Sequence, residues 1–74
     1  MADSNEIEAL KASFRGALRT AAALAALEDR VLALDPRADI PAEDLDELGR
    51  VTLAHAVSSQ ALRGLIESIR ARRT

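Results

Sequence analysis

The sequence predicts an all-α fold, an antiparallel two-helix hairpin that dimerises into a four-helix bundle. Two long segments carry apolar residues at alternating spacings of three and four, the period of a packed helix. Between them, residues 35–41 (DPRADIP) place two prolines in seven residues, and a connector of this length folds helices back on each other. With 74 residues and no cysteine, the chain lacks the size and the disulfides that stabilise small monomers, so we expect oligomerisation.

Helix 1 is expected over about residues 5–34, where the Asp35-Pro36 pair should end it. Asp3 and Glu6 have the spacing of a capping box at its start. Its seam, meaning the residues expected to face the other helix, is interrupted only by Glu28. The seam reads Ile7, Leu10, Phe14, Ala17, Ala21, Leu24 and Val31. Further apolar residues beside it make the apolar face wider than a two-helix contact requires.

Helix 2 is expected over about residues 42–72, with Pro41 in its first turn. Acidic residues crowd its start and arginines its end, as the helix dipole favours. Its seam has apolar ends and a polar centre and reads Leu48, Val51, His55, Ser58, Leu62, Leu65 and Ile69. Leu53 and Val57 form an apolar pair on the opposite side, so we expect this helix to contact more than one neighbour.

Two sets of candidate residues follow from these patterns. The expected core and self-association residues are Ile7, Leu10, Phe14, Leu18, Leu24, Val31, Leu45, Leu48, Val51, His55, Leu62, Leu65, Ile66 and Ile69. The expected surface for another protein combines a basic stripe on helix 1 with the apolar pair on helix 2: Lys11, Arg15, Arg19, Leu53 and Val57. In an antiparallel hairpin we expect Ala21 opposite His55.

Charge predicts the orientation of the dimer. Residues 28–50 hold eight acids and three bases, a net charge of −5, and surround the turn. Residues 51–74 hold one acid and four bases, a net charge of +3, and run to the open end. We therefore expect an antiparallel dimer in which the turn end of one copy meets the open end of the other. Exposed charges bias this orientation without driving assembly.

Composition excludes several classes of function. The net charge of −2 does not indicate nucleic acid or an anionic membrane as the partner, and Phe14 is the only aromatic residue. The absent cysteines and the single histidine exclude thiolate and histidine-cluster metal sites, and the acidic residues 35–47 lack the spacing and the glycine of a calcium loop. We expect a cytoplasmic protein with no cofactor and no enzymatic activity. We also expect that no apolar stretch is long enough to span a bilayer. The many Ala, Leu and Arg residues are typical of a bacterial genome rich in G and C.

His55 admits two interpretations. The segment His55-Ala56-Val57-Ser58-Ser59 is similar to the phosphoacceptor segment of histidine phosphotransfer domains, which implies phosphotransfer at His55. It lacks the Lys-Gly that usually follows at Ser58 and Ser59, and one chain is shorter than that four-helix domain. The other interpretation is a polar layer in a bundle core, which fixes register and oligomeric state.

The function expected from the sequence is non-catalytic: an assembly, adaptor or small regulatory protein that presents a helical face to a protein partner. One alternative is a phosphotransfer or dimerisation module that uses His55. Another is a small regulator associated with nucleic acid, with the architecture of Rop, in which the basic stripe contacts phosphates.

Overall fold

The chain forms a single helical hairpin in a computed structural model that describes residues 4–73. Helix α1 runs over Ser4–Leu32 and helix α2 over Ala42–Arg72. The two helices pack along their lengths, and the hairpin measures 56 × 16 × 16 Å. The all-α class and the packing of two helices against each other are thus confirmed. The predicted capping residue Asp3 lies outside the described residues.

Helix α1 ends at Leu32 rather than at the predicted Leu34. Pro36 disfavours helical backbone at the residue before it and has no N–H to continue the hydrogen-bond ladder. The last turn tightens as a result, with the N–H of Leu34 donating to the carbonyl oxygen of Val31 at 3.1 Å.

The connector is built around Asp35. Its side-chain Oδ1 accepts the backbone N–H of Arg37 at 2.9 Å, and its carbonyl oxygen accepts the N–H of Ala38 at 3.0 Å. Pro36 occupies the second position of this turn, where its fixed φ is suited. Pro41 is the N-cap of α2 rather than a residue of its first turn, with no side-chain capping bond, and its carbonyl oxygen accepts the N–H groups of Asp44 and Leu45.

Ion pairs join the helices at both ends of the hairpin. Arg30 contacts Asp44 at 2.7 Å beside the turn, and Arg72 contacts Glu6 at 2.7 Å at the open end. Because α1 runs away from Glu6 while α2 runs towards Arg72, these contacts define an antiparallel pair. They fix the register, although exposed ion pairs add little stability.

The seam of α1 differs from the predicted one in every second position. The residues that face α2 are buried or half-buried: Glu6, Leu10, Ser13, Ala17, Thr20, Leu24 and Leu27. Leu27 is 5% exposed and stands where the sequence pattern placed Glu28. The predicted seam and the observed seam are two frames, meaning two sets of positions with the same spacing, and they share Leu10, Ala17 and Leu24. The observed seam buries Leu27 rather than Glu28 near the turn, and at the open end it half-buries Glu6, which pairs with Arg72.

On α2 the seam has the residues that the pattern indicated. Val51 is 7% exposed, and the others are half-buried. These others are Leu48, His55, Ser58, Leu62, Leu65 and Ile69. The buried core of the described residues consists of Leu27 and Val51 alone, so the hairpin has very little interior of its own.

Candidate functional site

His55 lies half-buried at the middle of the seam, and both of its ring nitrogens meet hydroxyl groups. Its Nδ1 is 2.9 Å from Thr20 Oγ1 on α1, and its Nε2 is 3.4 Å from Ser59 Oγ one turn further along α2. The predicted neighbour Ala21 is displaced by Thr20, because the seam of α1 follows the other frame. We call Thr20, His55 and Ser59 the polar layer.

Thr20 decides how protons are shared in the polar layer. Its hydroxyl reaches the carbonyl oxygens of Gly16 at 3.2 Å and Ala17 at 3.0 Å, so it can donate its one proton to the backbone of its own helix. Thr20 Oγ1 then accepts the Nδ1–H of His55, and Nε2 accepts the hydroxyl of Ser59. Each group in the layer has a partner in this arrangement.

The surroundings of His55 offer little for catalysis. The side chains that hydrogen-bond to it in the described part of the chain are hydroxyls, whereas a histidine that activates a serine is ordinarily oriented by a carboxylate. Across residues 4–73, no three His, Asp or Glu side chains are grouped as a metal ion would require. The same residues contain no helix long and apolar enough to cross a membrane.

Six of the predicted core residues remain exposed in the hairpin: Ile7, Phe14, Leu18, Val31, Leu45 and Ile66. Val31 stands one residue before the end of α1. The other five lie on one side of the hairpin, because each of them follows an inward-facing residue: Ile7, Phe14, Leu18, Leu45 and Ile66. In two antiparallel helices, positions that follow inward-facing ones fall on the same side of the pair.

We call this side the lateral face. On α1 it comprises Ile7, Lys11, Phe14, Leu18, Ala21, Ala25, Glu28 and Leu32, and on α2 it comprises Leu45, Gly49, Thr52, Ala56, Ser59, Arg63 and Ile66. Leu32 is 75% exposed and Leu18 is 65% exposed. Near the turn, Ala25 and Leu32 line an open apolar groove that extends to Leu48 on α2. Ser59 connects the lateral face to the polar layer.

The residues expected to form a partner surface do not form one patch. Arg15 and Arg19 lie on the outer side of α1, away from α2, while Leu53 and Val57 lie on the outer side of α2. Lys11 lies between this outer side of α1 and the lateral face, and it pairs with Glu8 at 3.6 Å. The hairpin therefore presents a basic outer surface on one helix and an apolar pair on the other.

Sequence reasoning missed the part that Thr20 and Leu27 play in the seam. Both belong to the frame Glu6, Leu10, Ser13, Ala17, Thr20, Leu24, Leu27, which has the same spacings as the predicted one. The signal that could have found it is Glu28, since the observed seam places Leu27 there, although it also places Glu6 in the seam, where Arg72 neutralises its charge.

Comparison of the chain with known protein families, curated proteins and solved structures finds no match. The function must therefore be inferred from the polar layer, the lateral face and the outer surfaces.

Proposed function

We propose that this protein is a non-catalytic assembly or adaptor protein, which self-associates and then offers an outer helical surface to another protein. The observation that carries the proposal is the lateral face. It exposes large apolar side chains along the length of a hairpin whose own described core consists of Leu27 and Val51. Extended apolar surfaces of this kind mark interaction sites, and so small a core does not offset the entropy of ordering both helices.

The surface area of the hairpin supports self-association. The chain exposes 5879 Å², whereas a compact protein of its size would expose about 4,400 Å². A compact protein of twice the mass exposes about 7,300 Å², so two hairpins would bury roughly 4,400 Å² on forming one. Interfaces of about 2,000–5,000 Å² are typical of obligate homodimers.

The polar layer supports a structural role for His55 in this assembly. Both ring nitrogens have hydroxyl partners inside the seam, at 2.9 Å to Thr20 and 3.4 Å to Ser59. A phosphoacceptor histidine needs a ring nitrogen that a partner protein can reach. A polar group at a single position of an apolar seam instead restricts how helices can align.

A surface for a second protein remains after the lateral face is covered. Leu53 and Val57 are 66% and 62% exposed and lie one turn apart on the outer side of α2. Apolar residues at this spacing are the anchors by which helices dock on other proteins. Arg15 and Arg19 add a basic surface on the outer side of α1 for an acidic partner.

The test of self-association is sedimentation equilibrium from low to high micromolar concentration, with far-UV circular dichroism on the same samples. We expect a helical dimer that persists at the lowest concentration. A helical monomer at every concentration would contradict the proposal, because the hairpin would then be stable with its lateral face in water. A poorly helical monomer would mean that another protein supplies the rest of the core.

A further inference from the structure

The lateral face is complementary to itself when a second copy is turned end for end. We propose that two hairpins pair through their lateral faces in antiparallel orientation, around a two-fold axis at the level of the Thr20–His55 hydrogen bond. The inference rests on the proposed self-association and adds the face, the orientation and the register. In this arrangement α1 packs on the partner's α1, and α2 on the partner's α2.

The residues of α1 on the lateral face are arranged symmetrically about a point between Arg19 and Thr20. Residues equally distant from this point would meet across the axis. The apolar pairs are Ile7 with Leu32, Phe14 with Ala25, and Leu18 with Ala21. Phe14 and Leu18 thus each meet an alanine, and large residues opposite small ones are what close packing requires.

The same register joins two opposite charges. Lys11 and Glu28 are also equally distant from the point between Arg19 and Thr20. Both are exposed in the hairpin. The antiparallel dimer would contain the Lys11–Glu28 contact twice, once on each side of the axis.

On α2 the large apolar and hydroxyl residues of the lateral face are arranged symmetrically about a point between His55 and Ala56, whereas Gly49, Ala56 and Arg63 have no counterpart on this face. Leu45 and Ile66 are equally distant from this centre, and so are Thr52 and Ser59. The dimer would therefore pair apolar with apolar towards the ends of α2 and hydroxyl with hydroxyl at the middle. Hydroxyl pairs across a helix contact can hydrogen-bond, whereas a hydroxyl against an apolar residue loses its partner.

One hydrogen bond places the two centres at the same level. Thr20 adjoins the centre of α1, His55 adjoins the centre of α2, and their side chains are 2.9 Å apart. A two-fold dimer requires a single axis for the whole molecule. The pairings on α1 and on α2 were obtained separately. Because the register of the hairpin places the two centres at the same height, one two-fold axis can pass through both.

Charge selects this orientation over a parallel one. An end-for-end copy brings the acidic residues around the turn, among them Asp39 and Asp46, towards the arginines of the open end, among them Arg70 and Arg73. A parallel copy would place both acidic turns together. Like charges at one end of a dimer disfavour that arrangement.

Disulfide cross-linking tests the orientation directly, because the chain has no cysteine of its own. We would prepare Ile7→Cys and Leu32→Cys separately, mix them at equal concentration and oxidise gently. These positions are about 37 Å apart along one helix, so each variant alone should not cross-link. The mixture should yield a covalent heterodimer, because Ile7 meets Leu32 of the partner.

The outcomes separate this inference from the proposed function. A wild-type chain that is monomeric in sedimentation would overturn both. A dimeric wild type whose mixed cysteine variants remain dimeric but do not cross-link would overturn the antiparallel pairing and leave self-association standing. Self-cross-linking of Ile7→Cys would show that the copies run parallel.

A charge swap tests the register without altering an apolar residue. Lys11→Glu and Glu28→Lys should each raise the Kd of the dimer by roughly threefold to tenfold, since each creates two like-charge contacts. The double variant restores opposite charges and should return the Kd to the wild-type value at low salt. If the Kd of the double variant instead rose by the product of the two single increases, the Lys11–Glu28 contact would be contradicted.

Discussion

At the scale of single residues, a comparison of two leucines distinguishes the lateral face from the rest of the surface. Leu18 is 65% exposed and Leu53 is 66% exposed in the hairpin, and both lie in helix interiors. If the hairpin were a monomer, the same substitution at Leu18 or Leu53 would have a similar effect on stability. The proposed dimer buries Leu18 and leaves Leu53 in water.

We therefore predict different effects for Leu18→Asp and Leu53→Asp. Two buried leucines are lost per dimer when Leu18 is changed, which should weaken the dimer by about 3 kcal/mol or more, a hundredfold or more in Kd. Leu53→Asp should raise the Kd by only about fivefold, the effect of the lower helix propensity of aspartate in both chains. Analytical ultracentrifugation of both variants measures this, and equal effects would rule out the lateral face as the interface.

The polar layer supplies a second prediction at this scale. Thr20→Val keeps the shape of the side chain but removes the partner of His55 Nδ1, which should lower the free energy of unfolding by about 1–2 kcal/mol. In a His55→Leu background, the same change should cost close to nothing, because no ring nitrogen is left unpaired. Urea unfolding of the four proteins forms the test, and equal costs in both backgrounds would show that the hydrogen bond carries no stability.

At the scale of the helices, the three glycines show how much of α1 and α2 is unconstrained by packing. A methyl group added at Gly16, Gly49 or Gly64 meets no atom within 4 Å. Each glycine lies inside a helix and costs stability there because its unfolded backbone has more freedom.

Gly16→Ala, Gly49→Ala and Gly64→Ala should each raise the free energy of unfolding by about 0.5–1 kcal/mol. Thermal unfolding followed by circular dichroism at one fixed protein concentration gives the comparison. A destabilising alanine at Gly16 or Gly64 would mean that another chain approaches that side of the hairpin closely, which the lateral-face dimer does not require.

The helices also show which features the sequence could predict. Apolar spacing and the two prolines were sufficient for the all-α class and for two helices joined by a turn. The seam of α1 was beyond them, because the predicted and observed seams share Leu10, Ala17 and Leu24, and the observed one has the less apolar residues elsewhere, with Glu6, Ser13 and Thr20 in place of Ile7, Phe14 and Ala21. The choice depends on which frame matches α2, and the hydrogen bond between Thr20 and His55 becomes visible only when both helices are in place.

At the scale of the whole molecule, the stability of the fold should depend on protein concentration. If the proposed dimer forms, a chain whose described core is Leu27 and Val51 gains further apolar burial from the second copy, and folding and dimerisation become one equilibrium. A tenfold increase in concentration then adds about 1.4 kcal/mol. We predict a Tm that rises by several degrees per decade of concentration, and a Tm independent of concentration would indicate a self-sufficient hairpin.

The elongated outline of the hairpin determines how the assembly would scatter X-rays. Its radius of gyration is 16.9 Å, against about 11 Å for a compact chain of this length, because most of it arises from the 56 Å long axis. A second copy laid alongside the first does not lengthen the particle. Forward scattering per unit mass of protein should therefore double, while the radius of gyration changes by only about an ångström or two, which is what the added width contributes. Copies joined end to end would instead roughly double it. A dilution series that follows both forward scattering and radius of gyration would therefore distinguish side-by-side dimers from copies joined end to end.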